Sequence, residues 1–194
     1  IFIDPKPDGP KSYEERLRLF KKTRSTWQDY NPQIISQGGG IFNRDAKHIE
    51  LSDEIRQCLM IRDQSITGDR LIQALLKAPV DLLWFGGIGT YIKSAQETHQ
   101  DVQDPRNEGC RIQANQVRAS VIGEGANLGL TQQARHDLDL CGKHINMDAL
   151  DNAAGVNMSD YEVNLKVLLN QYVKHKILSD SERQQRFKSA THDI

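Results

Sequence analysis

Three short apolar runs, separated by segments with helical spacing, constrain the fold of this chain most. The runs are Val80 to Phe85, Arg118 to Ile122 and His144 to Met147. A short, nearly continuous apolar run is typical of a buried strand in a parallel sheet. Strands that alternate with helices favour an α/β layer whose crossover connections are right-handed. We therefore predict an α/β fold with a doubly wound parallel sheet.

Polar residues at capping spacing mark the expected helix starts. The predicted starts are Ser12, Ser52, Thr67, Thr131, Ser159 and Ser179. Ser159 precedes Glu162 by three residues, as Ser12 precedes Glu15, which is the spacing of a capping box. The longest predicted helix runs from Ser159 to about His175. We assign residues 1–158 to the sheet domain and residues 159–194 to a C-terminal helical appendage that leads out of it.

Glycine-containing loops follow each predicted strand. These loops are Gly86 to Thr90, Gly123 to Leu130 and Asp148 to Ser159. In an open parallel sheet, the loops after the strand carboxyl ends share one edge, and ligands bind along that edge. Glycine allows close approach of the backbone to a ligand. The three loops are therefore the predicted binding region.

Charge and cysteine content limit the functional classes to which the chain can belong. The 25 Lys and Arg balance the 26 Asp and Glu, which gives a net charge of −1. This balance argues against a nucleic-acid or anionic-membrane partner. No apolar run approaches the ~18 residues of a transmembrane helix, and the three cysteines are widely spaced. We expect a cytoplasmic protein, and the lack of an initiator Met suggests a piece of a longer chain.

Several motifs give only weak signals when each is taken alone. Gly87-Ile88-Gly89 and Gly123-Glu124-Gly125 lack the third glycine of a dinucleotide-binding turn. Lys77 and Lys93 flank the first strand, and we expect both to be solvated. The histidines are scattered without ligand spacing, so no metal site is predicted.

Three segments taken together resemble one family. They are VDLLWFGGIGTYIK at residues 80–93, SVIGEGANLGLT at residues 120–131 and DALDNAAGVNMSDYE at residues 148–162. In order and spacing they are similar to the large bacterial NAD-specific glutamate dehydrogenases. The resemblance implies a partial Rossmann-like domain, NAD as cofactor, and L-glutamate and 2-oxoglutarate as substrate and product. It also implies a homo-oligomeric intact protein.

The resemblance implies roles for six residues. Asn127 would bond the nicotinamide ribose and Asn152 the nicotinamide carboxamide. Gly86 and Gly87 would lie against the adenosine side of the cofactor. Val156 and Ser159 would touch the glutamate side chain. The sequence departs from smaller family members at Ala154, where they have glycine, and at residues 128–130, where they have Gly-Pro-Thr.

The resemblance also implies that the catalytic groups lie elsewhere. The phosphate-binding turn, the catalytic Lys and the catalytic Asp would precede Ile1, so we expect no catalytic residue in this chain and no turnover by the chain alone. Two alternatives remain open at this stage. One is a related dehydrogenase that acts on leucine or phenylalanine, and the other is a non-catalytic regulatory or oligomerisation module.

Overall fold

The computed structural model describes residues 1–190 and shows a mixed α/β fold with parallel sheets. The strands are β1 (Phe2–Ile3), β2 (Gly40–Ile41), β3 (Ile49–Glu50), β4 (Ser65–Ile66), β5 (Leu82–Phe85), β6 (Ile92–Lys93), β7 (Ile112–Gln113), β8 (Val121–Glu124) and β9 (His144–Ile145). The α-helices are α1 (Gly9–Lys21), α2 (Asp53–Leu59), α3 (Gly68–Leu76), α4 (His99–Val102), α5 (Gln132–Leu140), α6 (Asp148–Asp151), α7 (Ala153–Lys174) and α8 (Asp180–Ala190). Short 3₁₀ turns connect several of these elements.

The three predicted strands form one sheet in the order β5-β8-β9. β8 and β9 are parallel, with Val121 opposite His144 and Ile122 opposite Ile145. The Val121 N–H donates to the Asp81 carbonyl at the start of β5. A second parallel pair joins β6 and β7, whereas β1–β2 and β3–β4 are antiparallel. The prediction of a parallel α/β sheet is therefore confirmed at this level.

The chain divides into two compact units. The first contains Ile1–Leu83, Gly89–Ile122 and Leu130–Ile145. Its main apolar core joins β1, β3, α2 and α3, because their inward side chains have almost no exposure to water. These core residues are Ile3, Ile49, Leu51, Ile55, Leu59, Leu71, Ala74 and Ala78. The second unit contains Trp84–Ile88, Gly123–Gly129 and the described residues from Asn146 to Ala190.

Two predicted helix starts are wrong. α1 begins at Gly9 rather than Ser12, because the Asp8 carboxylate accepts from the Lys11 N–H and Pro10 suits the first turn. α7 begins at Ala153, so Ser159 lies inside the helix rather than at its start. The predicted loop from Asp148 to Ser159 is therefore helical, with a break at Asn152 between α6 and α7.

Burial differs from prediction at two places. β5 exposes alternate side chains, since Leu82 is 54% and Trp84 57% exposed, whereas Phe85 is buried. Alternation is the pattern of a strand covered on one face only, so the expectation of a strand buried on both faces is wrong. Lys93 is 6% exposed, which contradicts the expectation of a solvated lysine.

Candidate functional site

The loop after β8 is held by two aspartates of α6. The Asp148 carboxylate accepts from the Leu128 N–H at 2.9 Å, and the Asp151 carboxylate accepts from the Glu124 N–H at 3.1 Å. Asp151 also accepts from the Asn146 side-chain amide at 3.0 Å. Hydrogen bonds to ionised acceptors are stronger than neutral ones. α6 therefore fixes both ends of the segment that carries Asn127.

Asn127 and Asn152 meet in this arrangement. The Asn152 Nδ2 donates to the Asn127 Oδ1 at 2.5 Å. Asn127 lies in the loop after β8, and Asn152 lies at the break between α6 and α7. Segments that are 25 residues apart in sequence thus bring two amide side chains together.

The helix break gives Asn152 its position. Asn152 ends α6 and precedes α7, with φ −110° and ψ 16°, and its carbonyl accepts from the Val156 N–H at 2.9 Å. Its side chain lies over Gly155, where an added β-carbon would be 2.1 Å from the Asn152 Oδ1. Glycine at position 155 is therefore required by the present orientation of the Asn152 amide.

Val156 and Ser159 lie on the same face of α7 as Asn152. The three residues follow the spacing i, i+4 and i+7, which aligns side chains along one side of a helix. Val156 is half-buried and Ser159 is exposed. The structure thus aligns both predicted substrate residues with the predicted carboxamide residue, although Ser159 has no capping role.

Gly86 and Gly87 form an open turn directly after β5. Both are exposed, and a β-carbon at Gly87 would meet no protein atom within 4 Å. At Gly86 the nearest atoms belong to Trp84, 3.7 Å away. Among residues 1–190, no contact therefore requires glycine at either position, and the backbone of this turn is accessible.

Trp84 connects the end of β5 to the loop after β8. Its indole ring lies across Gly123 and Gly125, where added β-carbons would be 2.4 Å from ring atoms. The Glu124 side chain between these glycines is fully buried. Sequence reasoning missed Trp84 as a site element, because it was assigned to a buried strand.

Asp148 and Asp151 were also missed as positioning residues. Their spacing of three residues places both carboxylates on one side of a single helical turn. The prediction of a loop over this segment hid that signal. In residues 1–190, no group of three or more His, Cys, Asp or Glu side chains has an arrangement that could hold a metal ion. No helix in this described part is long and apolar enough to cross a membrane.

Comparison with known proteins identifies the family. The profile of a family described as "Bacterial NAD-glutamate dehydrogenase, catalytic domain" matches residues 1–194. Three curated relatives, each named NAD-specific glutamate dehydrogenase, are similar to the chain. The relative from Pseudomonas aeruginosa is 51% identical over 94% of the chain, that from Mycobacterium tuberculosis 49% over 100%, and that from Halomonas elongata 44% over 100%.

The chain spans only 11–12% of the length of these relatives. The family profile, however, covers the chain from its first residue to its last. The three segments that resemble this family in sequence include both asparagines that meet in the structure. The chain therefore belongs to the bacterial NAD-glutamate dehydrogenase family, in the region that the family description calls the catalytic domain.

Proposed function

We propose that the intact protein oxidatively deaminates L-glutamate to 2-oxoglutarate and ammonium with NAD as hydride acceptor. In this proposal, residues 1–194 supply the nicotinamide side of the cofactor site and one wall of the glutamate site. The contact between Asn127 and Asn152 carries the proposal, because it joins two amide groups on segments that resemble the family's cofactor-binding motifs.

The hydrogen-bond donors and acceptors of the asparagine pair fit those of the nicotinamide riboside half of NAD. A carboxamide offers one acceptor and two donors, and so does each asparagine side chain. Their mutual bond uses one Nδ2 hydrogen of Asn152 and one lone pair of the Asn127 Oδ1. Asn152 retains its own Oδ1 and a second hydrogen for the nicotinamide carboxamide. Asn127 retains its NH₂ group for the ribose hydroxyls.

The open turn after β5 fits the adenosine side of the same cofactor. Backbone at Gly86 and Gly87 can approach a ligand closely, since neither residue has a side chain. Within residues 1–190, no atom beyond the two neighbouring residues lies within 4 Å of the Gly87 β-carbon position, which leaves this space open to a ligand. We assign both glycines to cofactor binding on this support.

The exposed face of α7 fits an amino-acid substrate. The Ser159 hydroxyl can donate to the side-chain carboxylate of glutamate, and the Val156 methyl groups can contact its methylene carbons. One face of the helix would then bind both ligands, the cofactor through Asn152 and the substrate through Val156 and Ser159.

In this proposal, residues 1–194 orient the reactants. The bound nicotinamide supplies the hydride acceptor, and Asn152 fixes the plane of its ring through the carboxamide. Holding donor and acceptor in a reactive geometry accounts for a large part of rate enhancement in such reactions. We assign no catalytic acid or base to this chain, and we propose that residues 1–194 alone do not turn over glutamate.

Three finer proposals accompany this one. They are a homo-oligomeric intact protein, a cytoplasmic location, and a boundary near residue 158 between a Rossmann-like domain and a C-terminal helical appendage. The alternatives are a dehydrogenase for leucine or phenylalanine and a non-catalytic module with the same fold. Activity of the intact protein on glutamate, leucine and phenylalanine with NAD separates these three possibilities.

The decisive experiment is Asn152→Ala in the intact protein. Loss of the carboxamide contact should raise the KM for NAD about tenfold or more, equivalent to ~1.4 kcal/mol. Asn164→Ala is the matched control, because Asn164 lies on the same helix and, within residues 1–190, its side chain donates only to the Asp160 carbonyl. An unchanged KM for NAD in the Asn152 variant would refute the assignment.

A further inference from the structure

A polar cavity of about 550 Å³ in the first unit has an excess of positive charge. Four cationic side chains line it, those of Arg70, Lys77, Lys93 and Arg111, together with a single carboxylate from Glu97. None of these residues belongs to the proposed cofactor or substrate site. The cavity volume lies within the range of about 300–1,000 Å³ that small-molecule sites occupy.

Lys93 is a buried cation in the lining of this cavity. It is 6% exposed, and its Nζ donates to the carbonyls of Ser94 and Glu97. Within residues 1–190, no carboxylate forms an ion pair with it. Burying a charge that is not neutralised is costly, so an ammonium group in this position favours a negatively charged partner.

Arg70 and Lys77 add two further unneutralised charges. They are seven residues apart along α3 and its C-terminal end, which places them on the same side. Among the described residues neither forms an ion pair, although Asp63 lines an adjoining cavity with them. Partial burial, and then the charge of Arg70, lower the pKa of Lys77. The two cations are therefore close enough to repel each other.

The fourth cation, Arg111, is fixed in place by other bonds. Its guanidinium donates to the Thr90 carbonyl at 2.9 Å and to the Asp104 carbonyl, lies 3.0 Å from His99 Nδ1, and has the Asp104 carboxylate 3.7 Å away. Arg111 therefore forms a fixed part of the cavity lining, and the charge of its guanidinium is partly neutralised by Asp104.

The carboxylates nearest the cavity have other partners. Glu97 accepts from the Ser94 N–H at 2.7 Å and from the Thr131 hydroxyl at 2.5 Å. Asp101 accepts from the backbone N–H and the hydroxyl of Thr98 at 2.7 Å each, and these bonds, followed by the charge of Lys93, lower the pKa of Asp101. Neither carboxylate forms an ion pair with Arg70 or Lys77, so the cavity keeps its excess of positive charge.

We propose that this cavity binds a small anion that carries two or more negative charges on phosphoryl or carboxylate oxygens. Arg70, Lys77 and Lys93 supply the charge. Gln116 supplies a neutral donor, because its side-chain oxygen accepts the Gln113 N–H at 3.1 Å and leaves its NH₂ group available. Charge-assisted hydrogen bonds of this kind are about twice as strong as neutral ones.

Calorimetry on the intact protein tests the proposal, with inorganic pyrophosphate and succinate as probes and saturating NAD to occupy the dinucleotide site. At least one probe should bind, and both Lys77→Gln and Arg70→Gln should weaken that binding about tenfold. Lys47→Gln is the matched control, since Lys47 is an exposed lysine outside the cavity lining and should leave the affinity unchanged. Lys77 and Arg70 are not buried, so their replacement tests the site without disturbing the core.

The two probes also identify the ligand class. Binding of pyrophosphate alone assigns the site to phosphoryl groups, binding of succinate alone to dicarboxylates, and binding of both to divalent oxyanions in general. Failure of both probes at millimolar concentration would overturn the proposal. Equal affinities of wild type, Lys77→Gln and Arg70→Gln would overturn it as well, because the binding would then occur elsewhere.

Discussion

The side-chain oxygen of Asn152 occupies the space that a β-carbon of residue 155 would need, at 2.1 Å from its ideal position. The same Asn152 side chain donates to Asn127 through its nitrogen. One glycine in the first turn of α7 thus controls where the amide of Asn152 lies, three residues earlier.

Gly155→Ala should impair NAD binding without unfolding the chain. The added methyl group would displace the end of a flexible side chain, and alanine has the higher helix propensity by about 1 kcal/mol. The KM for NAD should rise about fivefold or more, while the melting temperature of the chain should hold or rise. Ala154→Gly tests the neighbouring helix position as a control. A Gly155→Ala variant with unchanged NAD kinetics would show that the orientation of Asn152 is not needed.

Ser159→Asp should weaken glutamate binding in the intact protein. Ser159 lies inside α7, so aspartate brings no capping benefit and costs only its helix propensity, up to about 0.7 kcal/mol. Its charge would face the substrate carboxylate, so the KM for glutamate should rise about tenfold with NAD binding little changed. Asp at the neighbouring exposed position, Asn157→Asp, is the control. If steady-state kinetics give the same glutamate KM for wild type and Ser159→Asp, the substrate wall lies on another face.

Asp148→Ala should loosen the loop that carries Asn127. The variant removes the carboxylate that accepts from the Leu128 N–H, which should cost about 1 kcal/mol in the free energy of unfolding. NAD binding should weaken several-fold in the intact protein, because Asn127 loses its fixed position. Asp139→Ala on α5 is the matched control, since Asp139 is exposed and lies outside this loop contact. Equal urea midpoints for the Asp148 variant and wild type would contradict the positioning role.

Leu128→Asn should stabilise the same loop. Leu128 has a φ of 62°, a left-handed conformation that costs leucine roughly 1 kcal/mol or more and that asparagine tolerates better. Because Leu128 is 60% exposed, its replacement sacrifices little apolar burial. The free energy of unfolding should rise by about 0.5 kcal/mol. Leu128→Val is the opposite test, since a β-branched residue fits this conformation poorly and should lower the melting temperature.

Acid should remove a contribution of Asp29 to stability. Hydrogen bonds from the Lys22 side chain and then from the Thr26 N–H lower the pKa of Asp29 from 3.8 to about 2. A folded-state pKa below the unfolded value gives stability that is present above about pH 4 and lost as the pH falls towards 2. The melting-temperature difference between wild type and Asp29→Asn should therefore shrink between pH 5 and pH 2.5. A constant difference over that range would contradict this linkage.

Local signals predicted much of the fold. Ser52, Thr67 and Thr131 are N-caps as expected, because in each case a side-chain oxygen accepts a backbone N–H of the first turn. Ser159 shows the limit of such signals. Its spacing from Glu162 matches a capping box, yet the chain is already helical from Ala153, and nothing local distinguishes a cap from an interior serine.

Long-range contacts were less accessible to sequence reasoning. The contact between Asn127 and Asn152 was not predicted. The family resemblance only assigned both residues to the nicotinamide side of the cofactor, and their contact depends on the aspartates of α6. The burial of Lys93 was also missed. Its polar partners are backbone carbonyls, and because every residue has one, the sequence does not indicate them. Local patterns determine elements well, but the partners of a charged side chain are set by the tertiary fold.

The indole of Trp84 limits which residues fit at the two glycine positions beneath it, 123 and 125. Any side chain at residue 123 or 125 would have to displace the indole, and a smaller residue at position 84 would leave a gap above both glycines. We therefore expect substitutions at these three positions to be coupled. In an alignment of related chains, position 84 should covary with positions 123 and 125, and loss of the tryptophan should accompany the appearance of alanine or serine at one of them.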